Sequence, residues 1–230
     1  MNENKNSGFS KEWENIYGKN IHISTWPWSD IVSVVSRYCN PVEKYNNILE
    51  IGCGAGANIP FFINRKNNFY GIDGSSLIIN NLKARFPEIE NNLIATDFTK
   101  SIPFDNKFDA IIDRGSLTHN TTKSINECLQ LLNNKMKNDS FYFGVDLFST
   151  KHSSYKLGDR IDEYTRTNIN TRQFKGVGNV HFFSTDHIIT LFKKNGFDVI
   201  ELEHVEKQSI INDEESYMNC VYNLVATPKK

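Results

Sequence analysis

The run Ile48-Leu49-Glu50-Ile51-Gly52-Cys53-Gly54-Ala55-Gly56 constrains this chain more than any other stretch. Its first four residues are apolar apart from Glu50 and read as a short buried strand. Three glycines at alternate positions follow, a costly pattern unless the backbone turns tightly or lets something approach closely. Ala57-Asn58-Ile59-Pro60-Phe61-Phe62 then reads as the opening of a helix. A strand, a glycine turn and a helix N-terminus together present N–H groups and a positive dipole end to a ligand. Nucleotide-like ligands use this arrangement.

The turn alone leaves the ligand open, because Gly52, Gly54 and Ala57 also satisfy the dinucleotide fingerprint G-x-G-x-x-G/A. Glu50 discriminates. Two residues before the first glycine, its carboxylate would meet a pyrophosphate as a like charge, whereas an ammonium would be attracted. Glu50-Ile51-Gly52-Cys53-Gly54-Ala55-Gly56 closely resembles the E/D-x-G-x-G-x-G signature of class I S-adenosylmethionine (SAM)-dependent methyltransferases. The resemblance implies that Glu50, Gly52, Cys53, Gly54, Gly56 and Asn58 face the methionine and sulfonium end of SAM. It also implies an α/β fold, a doubly wound and mostly parallel seven-stranded sheet with an antiparallel last strand.

Three segments are expected: a disordered tail (1–10), a helical lid (11–44) and the main domain (45–230), with a substrate-lid insertion at about 149–183. Trp13, Ile16 and Tyr17 recur at helical spacing before Gly18, and Ile31 to Tyr38 form a second helix. Trp26 and Trp28 between them pack in the core or cover the cofactor; by the resemblance, Trp26 belongs to the cofactor site. Asn68 to Asp73 is the second strand. Asp73 lies about 20 positions after the turn, where a carboxylate accepts from ribose hydroxyls; Gly74 and Ser75 follow it. Ser75 or Ser76 caps the next helix. In the third strand, the resemblance puts Asp97 on the adenine amino group and Phe98 on the ring. Pro103-Phe104 and Phe108-Asp109-Ala110-Ile111 are similar to a further family segment, and Phe108 and Asp109 are structural.

The fourth strand ends in Asp113-Arg114-Gly115-Ser116-Leu117-Thr118-His119, which resembles the D-x-G-x-x-x-H tail of small-molecule members. Asp113, Arg114 and Gly115 are thereby expected in the SAM pocket. His119, whose imidazole titrates near neutral pH, is either a base for an acceptor hydroxyl or amine or a polar wall of the pocket. Asp146 stands at the carboxyl end of the fifth strand as an acceptor contact, after a turn at Asn138-Asp139-Ser140. The insertion is polar and aromatic without a period. Tyr155, Arg160, Tyr164 and His181 are its candidate acceptor contacts, and its basic excess is either a solvated face or an attraction for an anion. Ser184 opens a final helix, Phe197 to Val205 alternates as a strand, and a polar loop at Asp213-Glu214-Glu215-Ser216 leads into the last strand.

The formal net charge of −1 argues against nucleic acid as a partner. Four scattered cysteines with no C-x-x-C pair indicate neither a disulfide framework nor a metal site. No secretory leader or membrane-spanning run is read, so a cytoplasmic protein, monomer or homodimer, is expected. The reading is a SAM-dependent methyltransferase acting on a small-molecule acceptor, with oxygen (a sugar, polyol or other metabolite) ahead of nitrogen. By the resemblance, an N-P-P-Y-like tetrad would mark amino acceptors on bases or glutamine, and Asp113-Arg114-Gly115-Ser116 stands in its place. An NAD-dependent oxidoreductase and a non-catalytic SAM-binding partner subunit are the alternatives.

Overall fold

The computed structural model describes residues 12–19, 23–208, 210 and 217–229. The tail at 1–10 and the polar loop at 213–216 lie outside the described residues. Six α-helices and ten strands are described: α1 (Glu12–Gly18), α2 (Ser29–Tyr38), β1 (Asn47–Ile51), α3 (Ile59–Asn64), β2 (Asn68–Asp73), α4 (Ser76–Arg85), β3 (Leu93–Ala95), β4 (Phe108–Arg114), α5 (Thr122–Lys135), β5 (Met136–Phe148), β6 (Asp159–Arg160), β7 (Thr165–Thr167), β8 (Val180–His181), α6 (Thr185–Lys194), β9 (Phe197–Gln208) and β10 (Met218–Pro228).

Seven strands form one sheet in the order β3-β2-β1-β4-β5-β10-β9. β10 runs antiparallel to both β5 and β9, and the other pairings are parallel. Ile48 to Ile51 are buried on both sides, as the centre of a covered parallel sheet demands. One face packs against α5 and α6 through Ile125, Leu129, Leu132, Ile188 and Phe192. The other packs against α2, α3 and α4 through Ile31, Val35, Phe62, Ile79 and Leu82. The order reverses between β1 and β4, which opens a crevice at their carboxyl ends.

Local chemistry places the helices. Ser75 caps α4 by accepting from the Ile78 amide at 3.2 Å, and Ser184 accepts from His187 in the same way. In α4 the buried face is Ile78, Ile79 and Leu82, while Leu77 is exposed. The turn expected at Asn138–Ser140 is an excursion within β5. Phe108 pairs with Met136 and Ala110 with Phe141, so residues 137–140 stand against Asp109 alone. The insertion at 149–183 holds a small sheet in the order β6-β7-β8 and its own core of Ile169, Phe174, Val177, Val180 and Phe182. Ile16 and Trp13 of α1 pack into that core. On its other side Glu14 accepts from the Leu77 amide, at 3.2 Å, so α1 bridges the insertion and α4.

Asp109 ties together the amino ends of the central strands β1, β4 and β5. Its Oδ2 accepts from the amides of Asn46 (3.1 Å) and Asn47 (2.9 Å), and Lys137 contacts both carboxylate oxygens at 2.8 Å. Asp109→Ala leaves these donors without an acceptor and is expected to cost about 2 kcal/mol in urea denaturation. Lys137→Ala is expected to cost less, because the lysine is half-exposed and its charge is screened. Equal losses for the two variants would refute this division.

Candidate functional site

A cavity of about 910 Å³ opens at the carboxyl ends of β1, β2 and β4. Its floor is the glycine turn. Gly52, Gly54 and Gly56 all have positive φ (61°, 50° and 74°). A Cβ on Gly52 would stand 2.3 Å from Ser116 Cβ, and one on Gly56 would stand 2.6 Å from Leu82 Cδ2. These two glycines therefore let the turn lie against β4's tail and α4. Gly56, expected at the cofactor, does not line the cavity, whereas Gly52, Cys53 and Gly54 do.

Glu50 is buried beneath the turn, and its Oε1 accepts from Asn58 Nδ2 at 2.7 Å. Its Oε2 is buried with no hydrogen-bond partner among the described residues. Burial pushes the carboxyl up to about 8, against the opposing pull of Asn58 and Arg114. Asn58 Oδ1 accepts from the Trp28 amide at 3.1 Å, which ties the strap before α2 to Glu50. The Arg114 guanidinium stacks on the Trp28 ring at 3.7 Å and pairs with Asp146 at 2.6 Å. Glu50, Asn58, Trp28, Arg114 and Asp146 thus form one connected wall, and all line the cavity.

Asp73 accepts from Gly54 N at 3.0 Å and from Ser75 N at 2.9 Å, and burial raises it to about 6. Asp97 spends Oδ1 on the Thr99 amide and hydroxyl (3.0 and 2.6 Å). Its Oδ2 is buried without a hydrogen bond, the Lys100 ammonium standing 3.4 Å away. Gly74, Phe98 and Gly115 complete this part of the lining. The carboxylates of Asp30, Asp73, Asp97 and Asp146 against Arg114 and Lys207, with the Glu50 carboxyl beside them, favour a ligand rich in donors or positive charge.

His119 also lines the cavity, its ring edge-on to Trp13 at 4.8 Å. His119 Nδ1 lies 3.2 Å from the Asn179 carbonyl. A carbonyl only accepts, so Nδ1 carries the proton and Nε2 is the basic nitrogen of the neutral ring.

Several expected residues stand elsewhere. Trp26 is 81% exposed and outside the lining, and Trp28 takes the place expected for it. Ser75 is buried as a helix cap. Asp113 is fully buried, accepting from Ser116, Leu117 and the Tyr142 hydroxyl, so it builds the β4 tail without reaching the cavity. In the insertion, Tyr155 packs on Phe182 under Arg166, and Arg160 is exposed on β6. Tyr164 stacks on His187 at 3.8 Å, and His181 is fully buried. None of these four lines the cavity.

Gln173, Phe174 and Val177 form the insertion's wall, facing Phe148 and the Lys207, Asn219 and Val221 side chains of β9 and β10. Alternation along β10 could have marked Asn219 and Val221 as sharing a face; nothing periodic marks Gln173 in its short turn. Pairing of β9 with β10 also brings His204, Glu206 and Cys220 within 4.8 Å of one another, a grouping that sequence spacing concealed; Glu206 is there ion-paired with Lys151 at 3.4 Å.

Residues 48–139 match the family model described as a methyltransferase domain. Curated protein sequences give no match. Among solved structures, a SAM-dependent methyltransferase from Clostridium acetobutylicum is similar at 12% identity and TM-score 0.62, over 95% of this chain and 96% of that one. One from Methanosarcina mazei is similar at 16% identity and TM-score 0.65, over 89% and 99%. The Burkholderia thailandensis 1,6-didemethyltoxoflavin-N1-methyltransferase, solved with bound 1,6-didemethyltoxoflavin and S-adenosylhomocysteine, is similar at 13% identity and TM-score 0.61, over 88% of this chain and 79% of that one. The fold of this chain is that of the class I SAM-dependent methyltransferases.

A buried acid with a raised pKa makes folding pH-dependent. Between about 4.5 and 8 Glu50 is ionised when unfolded and protonated when folded, so its stabilising contribution is lost as pH rises. The slope approaches about 1.4 kcal/mol per pH unit. Glu50→Gln is expected to flatten the stability profile over this window, measured by urea denaturation. Asp73 contributes with the same sign up to about 6 but is common to both proteins. Parallel profiles would refute the assignment.

Proposed function

We propose that this chain is a SAM-dependent methyltransferase that methylates an oxygen of a small-molecule acceptor, a sugar or other polyol or a similar metabolite, with His119 as the base. The observation that carries the cofactor assignment is Glu50, a buried carboxyl with one unpartnered oxygen at the glycine turn. An ammonium group of a ligand stabilises the ionised form of this carboxyl and satisfies that oxygen. The unbonded Oδ2 of Asp97 and the carboxylate of Asp73 suit an adenine amino group and ribose hydroxyls in the same way. The reversed β10 further separates this sheet from an all-parallel dinucleotide domain.

Bound there, SAM supplies a methyl carbon already activated by its sulfonium, so transfer to an acceptor oxygen breaks the C–S bond and leaves S-adenosylhomocysteine. The chain's tasks are then to align the acceptor and exclude water. Trp13, Phe148 and Phe174 offer apolar walls, and Gln173 and Asn219 offer hydrogen bonds to a polar acceptor. His119 Nε2 accepts the hydroxyl proton as the new bond forms. The insertion and α1 cover the acceptor end, and Trp28 with Arg114 closes the cofactor end.

Calorimetric titration with SAM, S-adenosylhomocysteine and NADH tests the assignment. Both sulfur ligands are expected to bind with micromolar affinity, NADH is not, and Asp73→Ala is expected to lose binding at least about tenfold. Because Glu50 is protonated near pH 7 in the free protein, binding of an ammonium ligand releases a proton. The enthalpy should therefore change with the ionisation enthalpy of the buffer, and this dependence should vanish in Glu50→Gln. Binding of NADH alone would overturn the assignment. Binding of both sulfur ligands with no methyl consumption across a broad hydroxyl panel would favour a non-catalytic SAM-binding subunit.

A further inference from the structure

The insertion is fastened to the His119 segment at one carboxylate. Asp162 stands in the turn between β6 and β7, and its Oδ1 accepts from the amides of Tyr164 (2.9 Å) and Thr165 (2.8 Å). Its Oδ2 reaches out of that turn to accept from the Thr122 amide and from the Thr165 hydroxyl, each at 3.0 Å. Thr122 begins α5 and lies three residues beyond His119. Burial pushes the Asp162 carboxyl up, but the donations from Thr122, Thr165 and Tyr164 outweigh it and hold it below the usual carboxylate range.

Each proton in the adjoining network then has a direction. The only hydroxyl proton of Thr165 points at Asp162, so Thr165 Oγ1 accepts from His181 Nδ1 at 3.0 Å. The neutral His181 presents its Nε2 lone pair to His187 Nε2 of α6 at 3.2 Å. Thr165 and His181 are also paired across β7 and β8. Asn179 directly precedes β8, and its carbonyl holds His119 Nδ1. The backbone that carries His119 and the carbonyl that orients its ring therefore converge on Asp162.

We propose that Asp162 is a positioning residue for His119: docking of the insertion through this carboxylate holds the imidazole in its Nδ1–H tautomer and makes Nε2 the proton acceptor. This rests on the reading of His119 as the base, but the tautomer is measurable without any acceptor. An unrestrained neutral histidine side chain favours the Nε2–H form, so the Nδ1–H form is a signature of the contact.

Two-bond ¹H–¹⁵N correlation spectra of the labelled full chain, with His119→Gln to assign the resonance, provide the test. The native protein is expected to show His119 protonated at Nδ1. Asp162→Asn sets an amide donor against the Thr122 amide or, with the side chain flipped, against the Tyr164 and Thr165 amides, and is expected to lose that signature in favour of Nε2–H. Thr165→Val, of nearly the same volume and suited to a strand, is expected to shift the ratio in the same direction, and it decides the matter if Asp162→Asn does not fold. An Nε2–H tautomer in the native protein would overturn the proposal. So would a lowered melting temperature in the variants with the tautomer unchanged, which is the result of a merely structural role. S-adenosylhomocysteine titration of the same samples separates the two readings. Failure of the native protein to bind it would overturn the methyltransferase assignment and leave the tautomer result standing.

Discussion

The glycine turn after β1 is held from both sides, and the rest of the site depends on that grip. On one side Asp73 at the end of β2 accepts from the Gly54 amide. On the other the Ser116 hydroxyl lies 2.8 Å from the Ile51 carbonyl and 2.5 Å from Asp113. Both carboxylates are buried, and burial raises both above the ordinary carboxylate range. They remain because each satisfies backbone donors that a tight left-handed turn cannot satisfy within itself. The turn is thereby preorganised before any ligand arrives, and the entropy that three glycines would otherwise lose at binding is lost at folding.

From this floor the walls follow by connection. Glu50 holds Asn58, Asn58 holds the Trp28 amide, and the Trp28 ring carries Arg114, which pairs with Asp146. The strap before α2 is thus tied to the β1–β4 switch point through side chains rather than through the sheet. Beside the insertion, α1 serves as the joint. Ile16 and Trp13 enter the insertion's core while Glu14 caps the α4 amide of Leu77. Two segments distant in sequence share one small apolar cluster, so cover over the cavity is a cooperative property of both.

Much of this was legible in the sequence wherever a residue acts through its own backbone neighbourhood. Glu50, the glycines and Asp73 sit at strand ends whose spacing is short and regular, and a resemblance carried by those residues extended to Asp97 and Phe98. Side chains that act at a distance leave no such local mark. Trp26 and Trp28 are indistinguishable by composition, and which of them turns inward is decided by the Asn58 bond to the Trp28 amide. Tyr155, Tyr164 and His181 have the chemistry of a binding wall, yet Tyr155 packs on the insertion's core, His181 is buried, and Tyr164 stacks on His187 of α6. Asp113 resembles a ligand contact and is spent on the turn that follows it.

The sequence by itself determined the αβ alternation, the glycine turn and the acidic residues that surround it. These depend on periodicity and on spacing along the chain, which local sterics translate directly into conformation. Only the tertiary structure decided which residues of the insertion line the cavity, that Gln173 and Asn219 share it with Trp13 and His119, and that Asp162 links the insertion to α5. Those contacts join residues separated by tens of positions, and their geometry is set by how three apolar clusters pack together. Packing is a property of the whole volume, and no window of the chain contains it.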